Sequence, residues 1–140
     1  MRHLRCVAVM AALFLPAAGT AMAQSTAPAG AEVYFVEPAD GAKVKSPLRV
    51  VMGLKGMGVA PALVEWTNTG HHHLLVDKPL AATDKPVPND AGYMHFGGGQ
   101  TEAAVTLPPG QHTLQLVLGD HNHVPHTPPV MSKPISVTVE

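Results

Sequence analysis

Cysteine is nearly absent from this chain. The only one, Cys6, stands in the apolar stretch near the N-terminus. The remainder therefore forms no disulfide and offers no thiolate to a metal. A blue-copper centre, which needs such a thiolate, is excluded with it. No apolar run beyond the first residues is long enough to span a bilayer. No basic patch stands out, and the formal net charge is −1, so nucleic acid is not expected as a partner. Signatures of catalysis are missing too. The run Gly97-Gly98-Gly99 lacks phosphate-loop spacing and no Lys-Ser/Thr follows it. No H-E-x-x-H helix occurs, and Ser46 and Ser132 lie in no nucleophile-elbow context. The protein reads as non-enzymatic.

The N-terminus carries an address. Residues 1–5 are basic, residues 6–15 are apolar, and Ala21-Met22-Ala23 matches an A-x-A cleavage site before Gln24. Residues 1–23 are expected to be a secretory signal peptide, too short for an anchor, whose removal releases a periplasmic or secreted protein. Without Arg2 and Arg5, acidic residues slightly outnumber basic ones. Residues 24–31 are small and polar and read as a flexible leader. Residues 32–140 read as one domain with a modest core.

Within that domain, short apolar runs alternate with turn signals. Strands are expected over 32–36, 48–54, 71–77, 93–96, 101–107, 112–119 and 135–139. Leu48, Val50, Met52 and Leu54 share one face of the second. Leu114, Leu116 and Leu118 alternate with Thr113, Gln115 and Val117 in the sixth. Pro38-Ala39-Asp40-Gly41 and Pro108-Pro109-Gly110 are turns. Residues 56–61 read as a loop, and 78–89, with Pro79, Pro86 and Pro88, as an irregular one. About seven short strands with frequent turns predict an all-β fold, an antiparallel immunoglobulin- or fibronectin-like sandwich.

What the chain does have is histidine, nine in all. His71, His72 and His73 adjoin; His121, His123 and His126 fall within six residues; His95 stands between the groups. Neutral imidazole is the commonest protein metal ligand. Alternation sends His71 and His73 to one face of their strand, within reach of one ion, and His72 to the other with Leu74 and Val76, at the core edge. His121 and His123 share a parity in a loop at a strand end, where sites are usually built. His95 either completes a site or fills a hydrogen-bonded slot. His112, beside the Pro-Pro-Gly corner, reads as structural.

A site gathering His71 or His73, His95, and His121 or His123, with His126 in reach, suits zinc or copper. Met94 or Met57 could add a thioether, and Asp77 and Asp120 could orient imidazoles from behind. A copper/zinc superoxide dismutase does not fit, because its cysteines and its histidine pattern are absent. The expected partner is thus a metal ion. The rival is an envelope interaction module whose histidine-rich end contacts another component without metal.

The stretches Gly70-His71-His72-His73-Leu74-Leu75-Val76-Asp77, His95-Phe96-Gly97-Gly98-Gly99-Gln100-Thr101-Glu102 and Leu107-Pro108-Pro109-Gly110-Gln111-His112-Thr113-Leu114-Gln115-Leu116 together resemble a secreted bacterial family, domain-of-unknown-function family 4399. The resemblance runs from about Val33 to Val139. It implies a secreted β domain and brings no catalytic residues to carry over.

Overall fold

A computed structural model describes residues 24–140; the expected signal peptide lies outside the described residues. The chain is all-β, and no helix occurs among the described residues. Among the described residues nine strands follow in order: β1 (Glu32–Glu37), β2 (Ala42–Val44), β3 (Leu48–Lys55), β4 (Gly58–Val59), β5 (Thr69–Val76), β6 (Tyr93–His95), β7 (Glu102–Val105), β8 (Gly110–Gly119) and β9 (Ile135–Val139). The seven expected strands are all present, shifted at their ends by up to two residues. The additions are β2 and β4, the latter inside the expected 56–61 loop. Both are short and pair in parallel, β2 with β9 and β4 with β5. Two- and three-residue strands are too brief to show alternation, and the neighbour's backbone defines them.

The strands form two sheets, mostly antiparallel. One has the order β1-β3-β7; the other has the order β2-β9-β8-β5-β4, with β6 also pairing to β5. A single apolar cluster draws on both. Val33, Leu48, Val50, Met52 and Val105 come from the first sheet, and Leu74, Val76, Leu114, Leu116, Leu118 and Val137 from the second. The expected alternation in β3 and β8 holds because those faces meet this cluster.

β5 departs from simple alternation. His71 through Val76 are all buried, so both faces of the strand are covered. Leu74 and Val76 join the shared cluster. On the opposite face, Leu75 packs with Val87, Tyr93 and Val117. Val87 belongs to the proline-containing 78–89 segment, which thus roofs the outer face of the sheet. Its backbone is tied down by the bond from Val87 N–H to the carbonyl of His123 (2.9 Å).

The segment expected to be a flexible leader is also held. Thr26 bridges Thr127, the Ala27 N–H donates to the Thr127 carbonyl (3.0 Å), and Ala27 is buried. The Gln24 side-chain amide donates to the carbonyls of Thr83 and Pro125. Polar composition suggested mobility, but the Ser25 carbonyl and the Ala27 N–H both find their partner in the backbone of Thr127.

Candidate metal centre

Four imidazoles converge on the outer face of β5. His71 and His73 are two apart on one strand, so both project to that face. His95 of β6 lies opposite His73 in the antiparallel register, and directly opposed residues have neighbouring side chains. The fourth, His123, comes from the loop after β8. Its φ of 67° lies in the left-handed region, which costs a residue with a Cβ about 1–2 kcal/mol. The loop holds it there: His123 N–H donates to the Asp120 carbonyl (2.9 Å) and its own carbonyl accepts from Val87.

Asp120 organises that loop. One carboxylate oxygen accepts from the backbone N–H groups of Asn122 (2.8 Å) and Val124 (3.0 Å), and the other accepts from the Ser25 hydroxyl (2.9 Å). It is the acid whose charge acts on His71, yet it bonds to no imidazole directly.

The rings are close. His71 Nε2 and His73 Nε2 lie 3.0 Å apart. His71, His95 and His123 each offer a ring nitrogen, and these three atoms lie within 4.8 Å of one another. Room for the rings is made by missing side chains. A Cβ on Gly119 would stand 2.8 Å from His73 Nε2, and one on Gly97 would overlap the His95 ring.

Burial sets the charge state. Desolvation, reinforced by the neighbouring His123 and His95, lowers the His71 pKa from 6.5 to about 4. Desolvation with the same crowding, led by His71, lowers His73 to about 3. His95 is also lowered, first by desolvation and then by His123. These rings are neutral at pH 7, the state in which imidazole binds a metal. Nδ1 of His71, Nδ1 of His73 and Nε2 of His95 are buried without a hydrogen-bond partner among the described residues. A buried polar atom left unpaired costs about 1–3 kcal/mol.

The other predicted ligands go elsewhere. His126 is buried, with its ring nitrogens near the carbonyls of Thr69 (3.2 Å) and Leu118 (3.4 Å), where it links the start of β5 to the end of β8. His121 bonds to Asn122 and, with His126, lines a separate groove beside Trp66 and Ser25. Met94 lies opposite Leu74 and packs against the shared core, as does Met57, so Met94 projects from the sheet face opposite to His95. Asp77 is taken by His112 (2.7 Å) and the Thr113 N–H (2.8 Å). His112 also reaches the Pro108 carbonyl (2.9 Å), which gives it the structural place expected at the corner.

The model of a family described as domain of unknown function (DUF4399) matches residues 50–140. The chain belongs to this family. The matched region of this DUF4399 member includes all four converging histidines, together with Gly97 and Gly119. No curated protein and no solved structure matches the chain.

His72 differs from what its parity alone suggested. It is fully buried rather than at an edge, on the face it shares with Leu74 and Val76, and both its ring nitrogens lack partners among the described residues. A glycine in a strand or loop often marks a close backbone approach; here Gly97 makes one to the His95 ring and Gly119 one to His73.

Proposed function

We propose that this protein is a non-enzymatic transition-metal-binding domain, secreted or periplasmic, that holds zinc or copper between His71, His95 and His123. The observation that carries this reading is the approach of their three ring nitrogens to within 4.8 Å of one another from three separate elements. Imidazole suits both metals, and the neutral state of His71 and His95 fits a ligand role. The core shared by two facing sheets supports an immunoglobulin-like sandwich as its scaffold. Calorimetry of untagged protein with Zn(II), Cu(II) and reductant-held Cu(I) tests the proposal. A His95→Ala/His123→Ala variant removes the two half-buried rings and disturbs packing least. Stoichiometric sub-micromolar binding, lost in the variant, is expected. Weak binding that the variant leaves unchanged refutes it.

One observation favours the rival reading of an envelope interaction module. Leu63, Val64 and Trp66 are exposed on one loop, Trp66 by 73%. That loop borders the histidines: Ala62 N–H donates to the Gly97 carbonyl and Leu63 N–H to that of His121. If no metal binds, this apolar rim is the surface to follow.

A further inference from the structure

The three-ligand reading leaves His73 unused, although its ring is among the most buried in the protein. Its position relative to the other three rings is informative. Around a tetrahedral ion with bonds near 2.05 Å, ligand nitrogens stand about 3.3 Å apart and imidazole ring centres about 5.2 Å apart. The His71–His73 nitrogen separation is 3.0 Å. The ring-centre separations are 4.8 Å for His71–His73, 4.9 Å for His71–His95, 5.0 Å for His71–His123, 5.1 Å for His73–His95 and 4.7 Å for His95–His123. Only His73–His123 is longer, at 6.1 Å. Four rings with nearly equal mutual distances occupy the corners of a slightly stretched tetrahedron. A planar arrangement would show two diagonals longer than the four edges by about 1.4-fold, as tetragonal copper(II) and nickel(II) sites do. No such pattern is present.

We infer that His73 is the fourth ligand, and that the site is a closed tetrahedral four-imidazole centre that takes zinc(II). This rests on the metal-binding reading and deepens it. The donor set is all nitrogen: the two thioethers the sequence offered, Met94 and Met57, pack into the shared core and are not available to favour Cu(I). Four protein ligands leave no open position, the hallmark of zinc sites that hold or stabilise rather than catalyse. Strand β5 supplies two ligands, its hydrogen-bonded neighbour β6 the third and the Asp120-braced loop the fourth. The ion therefore ties the 120–126 loop to the sheet.

The test uses untagged protein loaded with one equivalent of zinc. X-ray absorption should show four nitrogen neighbours near 2.0 Å. Cobalt(II) in its place should give the intense visible absorption of a four-coordinate ion. His73→Ala should lose that intensity and weaken zinc binding by at least the roughly 10–100-fold that loss of a supporting group already causes. His121→Ala should change neither. Five- or six-coordinate metal in the wild type, or equal zinc affinity in His73→Ala, overturns the four-imidazole assignment while metal binding itself stands. Absence of zinc binding in the wild type overturns the zinc assignment, and absence of zinc and copper binding alike overturns the metal-binding reading with it. The number of coordinated imidazoles in the wild type, read from the outer-shell scattering of their rings, needs no variant; three rather than four overturns the inference, so a misfolded His73→Ala would not shield it.

Discussion

Replacing His72 with leucine should make the protein more stable. A neutral imidazole always carries one N–H. In His72 neither ring nitrogen has a partner among the described residues, and the residue is fully buried on the face that Leu74 and Val76 give to the shared core. Removing such an unsatisfied group should recover about 1–3 kcal/mol. Leucine is close in volume to histidine, so repacking should cost less than about 1.5 kcal/mol. A net gain of about 1 kcal/mol is expected at pH 7.

The gain should widen in acid. Burial lowers the His72 pKa from 6.5 to about 4. A depressed folded-state pKa means stability is present above pH 6.5 and is lost as the pH falls toward 4, because the unfolded chain takes up the proton first. At pH 5 the unfolded ring is largely protonated and the folded one largely neutral, a difference worth about 2 kcal/mol. Leucine removes that term. Urea unfolding followed by far-ultraviolet circular dichroism, with chelator present, should therefore give about 1 kcal/mol in favour of the variant at pH 7 and about 3 kcal/mol at pH 5. A destabilised variant at pH 7, or a gap that stays constant between the two pH values, would refute the reasoning.

Three other outcomes are expected. Gly119→Ala places a methyl group 2.8 Å from His73 Nε2; it should weaken zinc binding at least tenfold in calorimetry, on the scale seen when a ligand's surroundings are disturbed, while the far-ultraviolet spectrum stays unchanged. Asp120→Ala removes the acceptor for Asn122, Val124 and Ser25 and should cost about 2–3 kcal/mol in urea unfolding, with hydrogen exchange rising in residues 120–126. The His112 pKa is raised, chiefly by its bond to Asp77 and then by the Pro108 carbonyl, so its contribution is fully present below pH 6.5 and fades as the pH climbs through the raised value. Asp77→Asn, which keeps an acceptor for Thr113, should therefore lower the urea midpoint more at pH 6 than at pH 8.5; an equal loss at both would show that His112 is not bound as a cation.

Much of this was legible in the sequence, for definite reasons. Leu114, Leu116 and Leu118 alternate because one face of β8 meets the core, and the period of two survives translation into structure. His71 and His73 could be assigned to one face by the same rule, whereas the place of His95 opposite His73 rests on the β5–β6 register, which the sequence left open. What remained illegible was the partnering of the loop. His121 and His123 share a parity, but the Asp120 hydrogen bonds and the left-handed φ of His123 set a chain reversal in which parity no longer predicts direction. His126 looked like a ligand because its backbone acceptors, Thr69 and Leu118, are distant in sequence or hidden within strands. The two short parallel strands were invisible for a similar reason, since their pairing depends on edges that other segments present.

The His71-His72-His73 run contains two separate physical problems, divided by the plane of the sheet. On the outer face, His71 and His73 crowd two more imidazoles, with their Nε2 atoms 3.0 Å apart and their pKa values lowered, and the cost of burying these rings would be offset by a bound ion, which uses lone pairs that water would otherwise solvate. Apolar residues would pack β5 without that cost, so a metal supplies a reason for imidazoles there that packing does not. On the inner face, both ring nitrogens of His72 lack partners among the described residues, and His72 shares its face with the apolar Leu74 and Val76 of the shared core. A metal at the outer cluster gives His72 nothing. The two faces should accordingly separate by mutation: His72→Leu changes stability and leaves zinc affinity within about twofold, since sites without shared partners act additively, whereas His73→Ala changes the affinity. If His72→Leu instead abolishes metal binding, then β5 does not hold its two faces apart as the register with β6 and β8 requires.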